Sequence, residues 1–176
     1  MDVYKTGGVN ICLAPGAGIA DDKAIYIYVP EMIKFYLNEK PILENVETWN
    51  CEKSDQLQYV LENISNLVVK EVDGSGGYGM LIGPKSSKTE IDIFKNKLST
   101  NPNGYIAQPL LDLSFTPTLI KNHVEGRRVD LRPFCLIGKE AQLSSGGLTR
   151  VAMNEGSFVV NSSQGGGVKD TWVLAE

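Results

Sequence analysis

The chain has little of several residue types on which catalytic and metal sites are often built. Its 176 residues include a single histidine, His123, and three widely separated cysteines. Mechanisms that need two histidines, and zinc sites built on a histidine cluster, are therefore excluded. An odd and dispersed set of cysteines argues against a disulfide framework and favours reduced thiols in a cytoplasmic protein.

Long apolar runs and a strong excess of charge are also missing. No stretch of about 20 apolar residues is present to span a bilayer, and no basic segment followed by an apolar one marks a signal peptide. The formal net charge of −4 gives no overall attraction to nucleic acid or to anionic membranes. With 42% hydrophobic and 22% charged residues, the composition predicts a folded chain of one domain or two small lobes.

Glycine, in contrast, is abundant and clustered, with 18 residues in the chain. Clustered glycines allow a backbone to approach another group closely. The clearest cluster lies in LVVKEVDGSGGYGM (67–80), where the pattern predicts a strand, a glycine-rich turn and a second strand. The turn residues are Gly74, Ser75, Gly76, Gly77, Tyr78 and Gly79. Their spacing matches GxGxxG, but a predicted strand follows them where a dinucleotide-binding fingerprint has a helix. They are not a P-loop either, because no Gly-Lys-Ser/Thr follows the glycines.

A strand, a glycine turn and a second strand form a flap of the kind with which protein kinases cover ATP phosphates. Lys70 precedes the first glycine of this flap by four residues on the incoming strand, from which its ammonium can reach phosphates beneath. The alternative is a long hairpin that carries a surface lysine.

The rest of the pattern predicts mixed α/β structure up to residue 104 and mostly β-structure after it. Helices are expected from Pro30 to Leu37, from Ser54, and from the capping box that begins at Ser87. The aromatic residues between Tyr26 and Tyr36 are predicted to face the core. The later strands are expected at 105–108, 118–120, 129–137 and 158–160, with Gly146-Gly147 and 165–167 in connections.

Charged residues cluster on the predicted strand at 129–137 and just before it. Arg128, Asp130 and Arg132 share one face of a strand, so that two guanidinium groups flank one carboxylate. Such a row is either a buried ion-paired network or a site for a nucleotide triphosphate with magnesium. Arg150, beside glycines, is a further candidate for binding a phosphate or an acyl phosphate, and Asn161 precedes a glycine turn that can present backbone amides to an anion.

These segments resemble those of a known family. Residues 67–80 look like the lysine strand and glycine flap of ATP-grasp ligases. Five other segments, in order, resemble the bacterial, circularly permuted ATP-grasp family that is often labelled glutathionylspermidine-synthase-like. They are DDKAIY (21–26), PILENV (41–46), VDLRPF (129–134), GGLTRVA (146–152) and NSSQGGG (161–167). The similarity covers nearly the whole chain, which resembles the C-terminal part of longer family members.

The resemblance implies an α/β ATP-grasp fold with nucleotide between two lobes, at 1–104 and 105–176. It also implies ATP and Mg²⁺ as cofactors and an unknown carboxylate and amine as substrates. The carboxylate would attack the γ-phosphate to give an acyl phosphate and ADP, and the amine would then displace phosphate to form an amide.

The same resemblance implies roles for individual residues. Lys23, Lys70 and the flap would bind ATP phosphates, and Gln108 would line the adenine pocket. Asp130 and Asn161 would bind magnesium, while Arg132 and Arg150 would stabilise developing charge. Two of these positions have an ordinary alternative, since Lys23 fits a solvated first turn of a helix and Gln108 fits a simple strand end.

Two departures from the family pattern support an alternative function. Val159 stands where ATP-grasp enzymes carry an acidic metal ligand two positions before the strand asparagine, and Leu13 stands where the family tends to have asparagine. The alternative is a nucleotide-binding fragment or inactive remnant that needs a missing N-terminal segment or a partner chain. A structural interaction domain is the third hypothesis.

Overall fold

A computed structural model describes residues 1–11, 15–161 and 165–174 of the chain. These residues form two compact units, one made of Met1–Gly74 and Gly79–Leu110, the other of Ser75–Tyr78 and Leu111–Glu176. Each unit has its own four-stranded sheet, and the first also has helices, so the predicted α/β class is confirmed. Cys12, Leu13 and residues 162–164 of the NSSQGGG segment lie outside the described residues.

The first unit combines a small antiparallel sheet with four helices. The helices are α1 (Asp2–Lys5), α2 (Val29–Leu37), α3 (Ser54–Asn63) and α4 (Lys88–Thr100). The strands are β1 (Trp49–Asn50), β2 (Leu67–Glu71), β3 (Leu81–Ile82) and β4 (Tyr105–Pro109), in the order β1-β4-β2-β3. Short 3-10 turns lie at Ala17–Asp21, Ile25–Tyr28, Ile64–Asn66, Gly83–Lys85 and Pro102–Gly104. None of the helices in the described part of the chain is long and apolar enough to cross a membrane.

The central pair of this sheet is β2 with β4, in register from Leu67 opposite Pro109 to Glu71 opposite Tyr105. β3 pairs with the other edge of β2, which confirms the predicted hairpin of strand, glycine turn and strand. One face of β2 and β4 meets α3 and α4 in a core of Cys51, Val60, Ile64, Leu67, Val69, Leu81, Leu98, Tyr105 and Ala107. Strand β4, whose residues we assigned from the sequence to the second lobe, hydrogen-bonds within this first sheet.

The prediction that the aromatic residues of α2 face the core is wrong. Phe35 is 80% and Tyr36 77% exposed, and no described residue ahead of Asn50 is buried. Helical spacing shows only which residues share a face. It carries no information on whether another element of the same chain covers that face.

Helix α4 begins with the capping box that the sequence predicts. The Ser87 side chain accepts a hydrogen bond from the Glu90 backbone amide at 3.3 Å, and the Glu90 carboxylate accepts one from the Ser87 amide at 2.7 Å. The two hydrogen bonds satisfy donors that the first turn of a helix leaves without partners. Hydrogen bonds from the Ser87 backbone and side chain lower the pKa of Glu90.

We expect Ser87→Ala to lower the free energy of unfolding by about 1 kcal/mol, the usual effect of losing an N-cap. Urea denaturation at pH 7 measures this. The pKa of Glu90 is lower in the folded than in the unfolded chain, so ionised Glu90 stabilises the fold. This stabilisation is fully present above the pKa of Glu90 in the unfolded chain. It is lost as the pH falls through the pKa of Glu90 in the folded chain. The difference between the variant and the wild-type chain should therefore shrink in acid.

Ser99→Ala is the matched control, since the Ser99 hydroxyl lies near the other end of α4 and donates only to the Lys95 carbonyl at 2.9 Å. It should change stability by less than about 0.5 kcal/mol. Equal effects of the two substitutions would contradict the capping role of Ser87.

The second unit is an antiparallel meander. Its strands are β5 (Phe115–Ile120), β6 (His123–Ile137), β7 (Ala141–Val151) and β8 (Gly167–Trp172), each paired with the next. The predicted strand at 158–160 is wrong, because these residues form none. The predicted connection at Gly146-Gly147 is also wrong, because both glycines lie inside β7. A Cβ added to Gly146 would lie 2.9 Å from the Thr171 carbonyl oxygen, and one added to Gly147 would lie 3.1 Å from the Arg132 carbonyl oxygen. Glycine in a strand often marks such close approach of two backbones.

Candidate nucleotide-binding residues

Lys70 on β2 is a half-buried ammonium held by a neutral acceptor. Its Nζ donates to Oε1 of Gln108 at 2.6 Å, and Nε2 of Gln108 donates to the Thr48 hydroxyl at 2.8 Å. Burial, and then the positive charge of Lys23, lower the pKa of Lys70. Within the described ranges Lys70 forms no salt bridge, so no carboxylate is paired with its ammonium. A bound anion would supply such a partner.

Lys23 brings a second ammonium to the start of the flap. Its Nζ donates to the carbonyl of Gly74 and to that of Val72 at 3.3 Å, and its backbone amide also donates to Val72 at 3.1 Å. The residue lies in a turn between two 3-10 turns and is half-buried. Lys23 therefore does not lie in the solvated first turn of a helix, which is the alternative that the sequence leaves open.

The glycine turn has a backbone that other residues rarely adopt. Gly76, Gly77 and Gly79 have φ angles of +70°, +78° and +68°. A Cβ on Gly79 would lie 2.6 Å from the carboxyl carbon of Glu71, and one on Gly74 would lie 3.0 Å from the Glu71 Cβ. The backbone at both ends of the turn thus closes against the Glu71 side chain, a contact that no sequence pattern indicated.

We expect Gly79→Ala to destabilise the chain by about 1–3 kcal/mol, because the new methyl group meets Glu71 and the φ angle is left-handed. Thermal unfolding measures the effect. Gly18→Ala is the control, since a Cβ there meets nothing within 4 Å and the φ angle is not positive. A double variant with Glu71→Ala should recover only the steric part. Full stability of Gly79→Ala would contradict this geometry.

In the second unit, strand β6 places charged side chains in the predicted row. Asp130 lies directly opposite Arg150 on β7, and Arg132 donates to Oδ2 of Asp130 from Nη2 at 2.6 Å. Arg150 donates from Nη1 to the side-chain oxygen of Asn161 at 3.3 Å. The structure therefore brings four of the predicted residues together in this unit.

Arg128 extends the row and is held by aromatic rings. Its guanidinium carbon lies 3.9 Å from the ring centre of Phe158 and 4.8 Å from that of Phe115. One nitrogen lies 3.3 Å from Asp112, whose side chain is 83% exposed. The aromatic clamp fixes the guanidinium plane through cation–π contact, and Phe158 does this from outside any strand.

Three buried polar atoms in this row have no hydrogen-bond partner among the residues that the structure describes: Nε of Arg128, Nε of Arg150 and Oδ1 of Asp130. Three guanidinium groups share two carboxylates, Asp130 and the exposed Asp112, which leaves an excess of positive charge. Arg132 and Asp130 form an ion pair, but the Arg132 side chain is 49% exposed, so this pair is not the buried network that the sequence allowed. The two unpaired guanidinium donors fit an anion with several oxygens, such as a phosphate chain.

Magnesium fits this row only together with an anionic ligand. No group of three histidine, cysteine, aspartate or glutamate side chains that could hold a metal occurs among the residues described. Magnesium is commonly held by one or two carboxylates while substrate phosphates and water complete its octahedron. The unpartnered Oδ1 of Asp130 is one such carboxylate oxygen.

The sequence matches the circularly permuted ATP-grasp type 2 family over residues 1–152. The matched part contains both lysines, the flap, Gln108 and the arginines of β6 and β7, while Asn161 lies beyond it. The chain belongs to this family. Its fold is accordingly of the ATP-grasp type, as the resemblance implied.

Relatives in several bacteria share most of this chain. A Synechocystis protein of unassigned function is 56% identical over 175 residues, and one from Mycobacterium tuberculosis is 52% identical over 176. A Frankia alni protein, provisionally named glutamate–cysteine ligase 2-3, is 44% identical over 173 residues. These alignments cover 98–99% of this chain but 36%, 32% and 20% of the three relatives.

Proposed function

We propose that the chain is the nucleotide-binding part of an ATP-dependent carboxylate–amine ligase that works through an acyl phosphate. The observation that carries the proposal is the Lys70 ammonium, half-buried in a sheet, lowered in pKa and next to a second lysine at the start of a glycine flap. Membership of an ATP-grasp family and the ligase name of the Frankia relative support it.

In the first unit, Lys70 and Lys23 would bind phosphate oxygens, and Gly74 and Gly79 form the two ends of the flap. The flap residues from Gly74 to Gly79 would contact phosphate through their backbone. Lys23 would exchange its backbone carbonyl acceptors for phosphate when nucleotide binds. Both polar groups of the Gln108 side chain are used within the protein. Its proposed contact with adenine therefore rests on backbone groups.

In the second unit, Arg132 and Arg150 would neutralise charge that develops on the transferred phosphoryl group and its acceptor. Asp130 and Asn161 would hold magnesium that arrives with the triphosphate. Bound magnesium supplies Lewis-acid stabilisation of phosphate charge. The Arg150 contact with Asn161 keeps that amide oriented in the row.

The proposed reaction couples two substrates of unknown identity. A carboxylate oxygen attacks the γ-phosphorus and the bond to ADP breaks, giving an acyl phosphate. An amine nitrogen then attacks the acyl carbon, phosphate leaves, and the nitrogen loses a proton to give an amide. The glutathionylspermidine-synthase-like label of the family remains a prediction from sequence resemblance and does not identify the substrates.

The alternative is a nucleotide-binding part without turnover of its own, which needs a further segment or a partner chain. Val159 at the position of an acidic metal ligand favours it. Three further points remain predictions from the sequence. They are the division into lobes at residue 104, the cytoplasmic location, and partners that are neither nucleic acid nor membranes.

Isothermal titration with a non-hydrolysable ATP analogue, with and without Mg²⁺, tests nucleotide binding. We expect Mg²⁺-dependent binding that Lys70→Met weakens by about 10- to 100-fold, the effect of losing a hydrogen bond to a charged group. Lys40→Met is the control because Lys40 is exposed and forms no salt bridge with the residues that the structure describes. A folded chain that binds no analogue, or equal affinity in both variants, would contradict the proposal.

The pH dependence of affinity provides a second test of Lys70. A phosphate anion raises the pKa of a nearby ammonium, so the pKa of Lys70 should be higher with nucleotide bound than without it. Affinity is then greatest below the free-state pKa of Lys70 and falls as the pH rises through that value. Titrations above pH 7.5 avoid the protonation of the γ-phosphate, and a flat profile in wild-type protein would contradict the phosphate role.

A further inference from the structure

Thr48 lies immediately before β1 and is the outer member of a hydrogen-bond relay that ends on Lys70. The Thr48 hydroxyl donates to the carbonyl of Val46 at 2.8 Å and accepts from Nε2 of Gln108 at 2.8 Å. Oε1 of Gln108 in turn accepts from Lys70 at 2.6 Å. We call Thr48, Gln108 and Lys70 the relay. Neither the resemblance nor the family assignment gave Thr48 a role.

Each hydrogen bond of the relay can have only one donor and one acceptor, because the groups at its two ends each allow a single role. A hydroxyl has a single hydrogen, and a carbonyl such as that of Val46 can only accept. With its hydrogen given to Val46, the Thr48 oxygen can only accept from Gln108, so the amide nitrogen of Gln108 must face Thr48. The amide oxygen therefore faces Lys70, whose ammonium can only donate.

Strand register explains why these three side chains meet. Trp49 lies opposite Ala107, so that Thr48, one residue earlier, is level with Gln108. Gln108 lies opposite Val68, and Lys70 is two residues further along β2 on the same face. Opposed and diagonal neighbours on one face are within reach of long side chains. The sheet order β1-β4-β2 thus carries the relay across three strands.

We propose that Thr48 is a positioning residue that sets the Gln108 amide and, through it, holds the Lys70 ammonium in place for a phosphate ligand. The proposal deepens the proposed function and rests on it for the identity of the ligand. Without the Thr48 hydroxyl, the Gln108 amide is free to turn over. Its NH₂ group then faces the ammonium, two donors meet, and Lys70 loses its acceptor.

Thr48→Val tests the relay because valine keeps the shape of threonine and removes the hydroxyl. Thr48→Ser keeps the hydroxyl and should restore the wild-type behaviour. Thr100→Val is the control: the Thr100 hydroxyl donates to the Asn96 carbonyl at 2.8 Å on the exposed surface of α4. Circular dichroism checks folding, and Thr48→Ala replaces Thr48→Val if the valine variant does not fold.

Competitive acetylation with acetic anhydride, read for each lysine by mass spectrometry, reports on Lys70 without any nucleotide. We expect Lys70 to react several-fold faster in Thr48→Val, because an amide NH₂ turned toward it disfavours the protonated amine, which is the unreactive form. In Thr48→Ser and Thr100→Val, Lys70 should react at the wild-type rate. An unchanged Lys70 rate in Thr48→Val, or failure of serine to restore it, would overturn the relay.

Titration with the ATP analogue is the second readout. Affinity should fall about tenfold in Thr48→Val, the effect of one hydrogen bond to a charged group, and by no more than about twofold in Thr48→Ser. If wild-type protein binds no nucleotide, the proposed function fails, and the acetylation rates alone decide the relay. Unchanged affinity in Thr48→Val, with wild-type binding intact, would overturn the positioning role.

Discussion

The antiparallel pairing of β2 with β4 is the constraint on which the first unit depends. Its register puts Leu67, Val69, Tyr105 and Ala107 on the face that meets α3 and α4, where they are buried. The same register puts Lys70 and Gln108 together on the opposite face, beside the buried Ile106. A slip of one residue would exchange the two faces. It would bury the ammonium in the core and expose the apolar residues.

Each unit contains a small cluster of cationic side chains, and each restrains its cluster differently. In the first, Lys23 and Lys70 are held by neutral oxygens, and burial, followed by the nearby charge of Lys23, lowers the pKa of Lys70. In the second, Asp130 neutralises Arg132, while Arg128 is clamped by two aromatic rings. Cations kept in fixed positions without full neutralisation favour the binding of an anion. This need for fixed cations explains why lysine and arginine occupy these positions of the motifs.

The sequence pattern predicted the elements that are determined by interactions between residues close in sequence. The capping box at Ser87, the helix at 30–37 and the hairpin around the flap depend on neighbours in sequence, and the structure has all three. Alternation also placed Arg128, Asp130 and Arg132 on one strand. Prediction failed where distant pairing decides the outcome. A pair of glycines is typical of a turn, yet Gly146 and Gly147 lie in β7. Glycine is needed there because the neighbouring backbones approach closely.

The contacts of the candidate site depended still more on long-range structure. Lys70 was found from its distance to the glycines, but its partners Gln108 and Thr48 are 38 and 22 residues away and meet it only through the sheet order. Glu71 beneath Gly79 and Phe158 over Arg128 gave no signal in sequence. The exposed aromatic residues of α2 show the same limit, since spacing predicts a face but not its cover.

Side-chain NMR of the lysine ammonium groups, followed while a magnesium–ATP analogue is added, tests the central claim most directly. The account predicts that the Lys70 and Lys23 signals shift selectively and saturably, while those of exposed lysines such as Lys40 stay in place. Saturable binding of the analogue that leaves both the Lys70 and the Lys23 signals unchanged would contradict it.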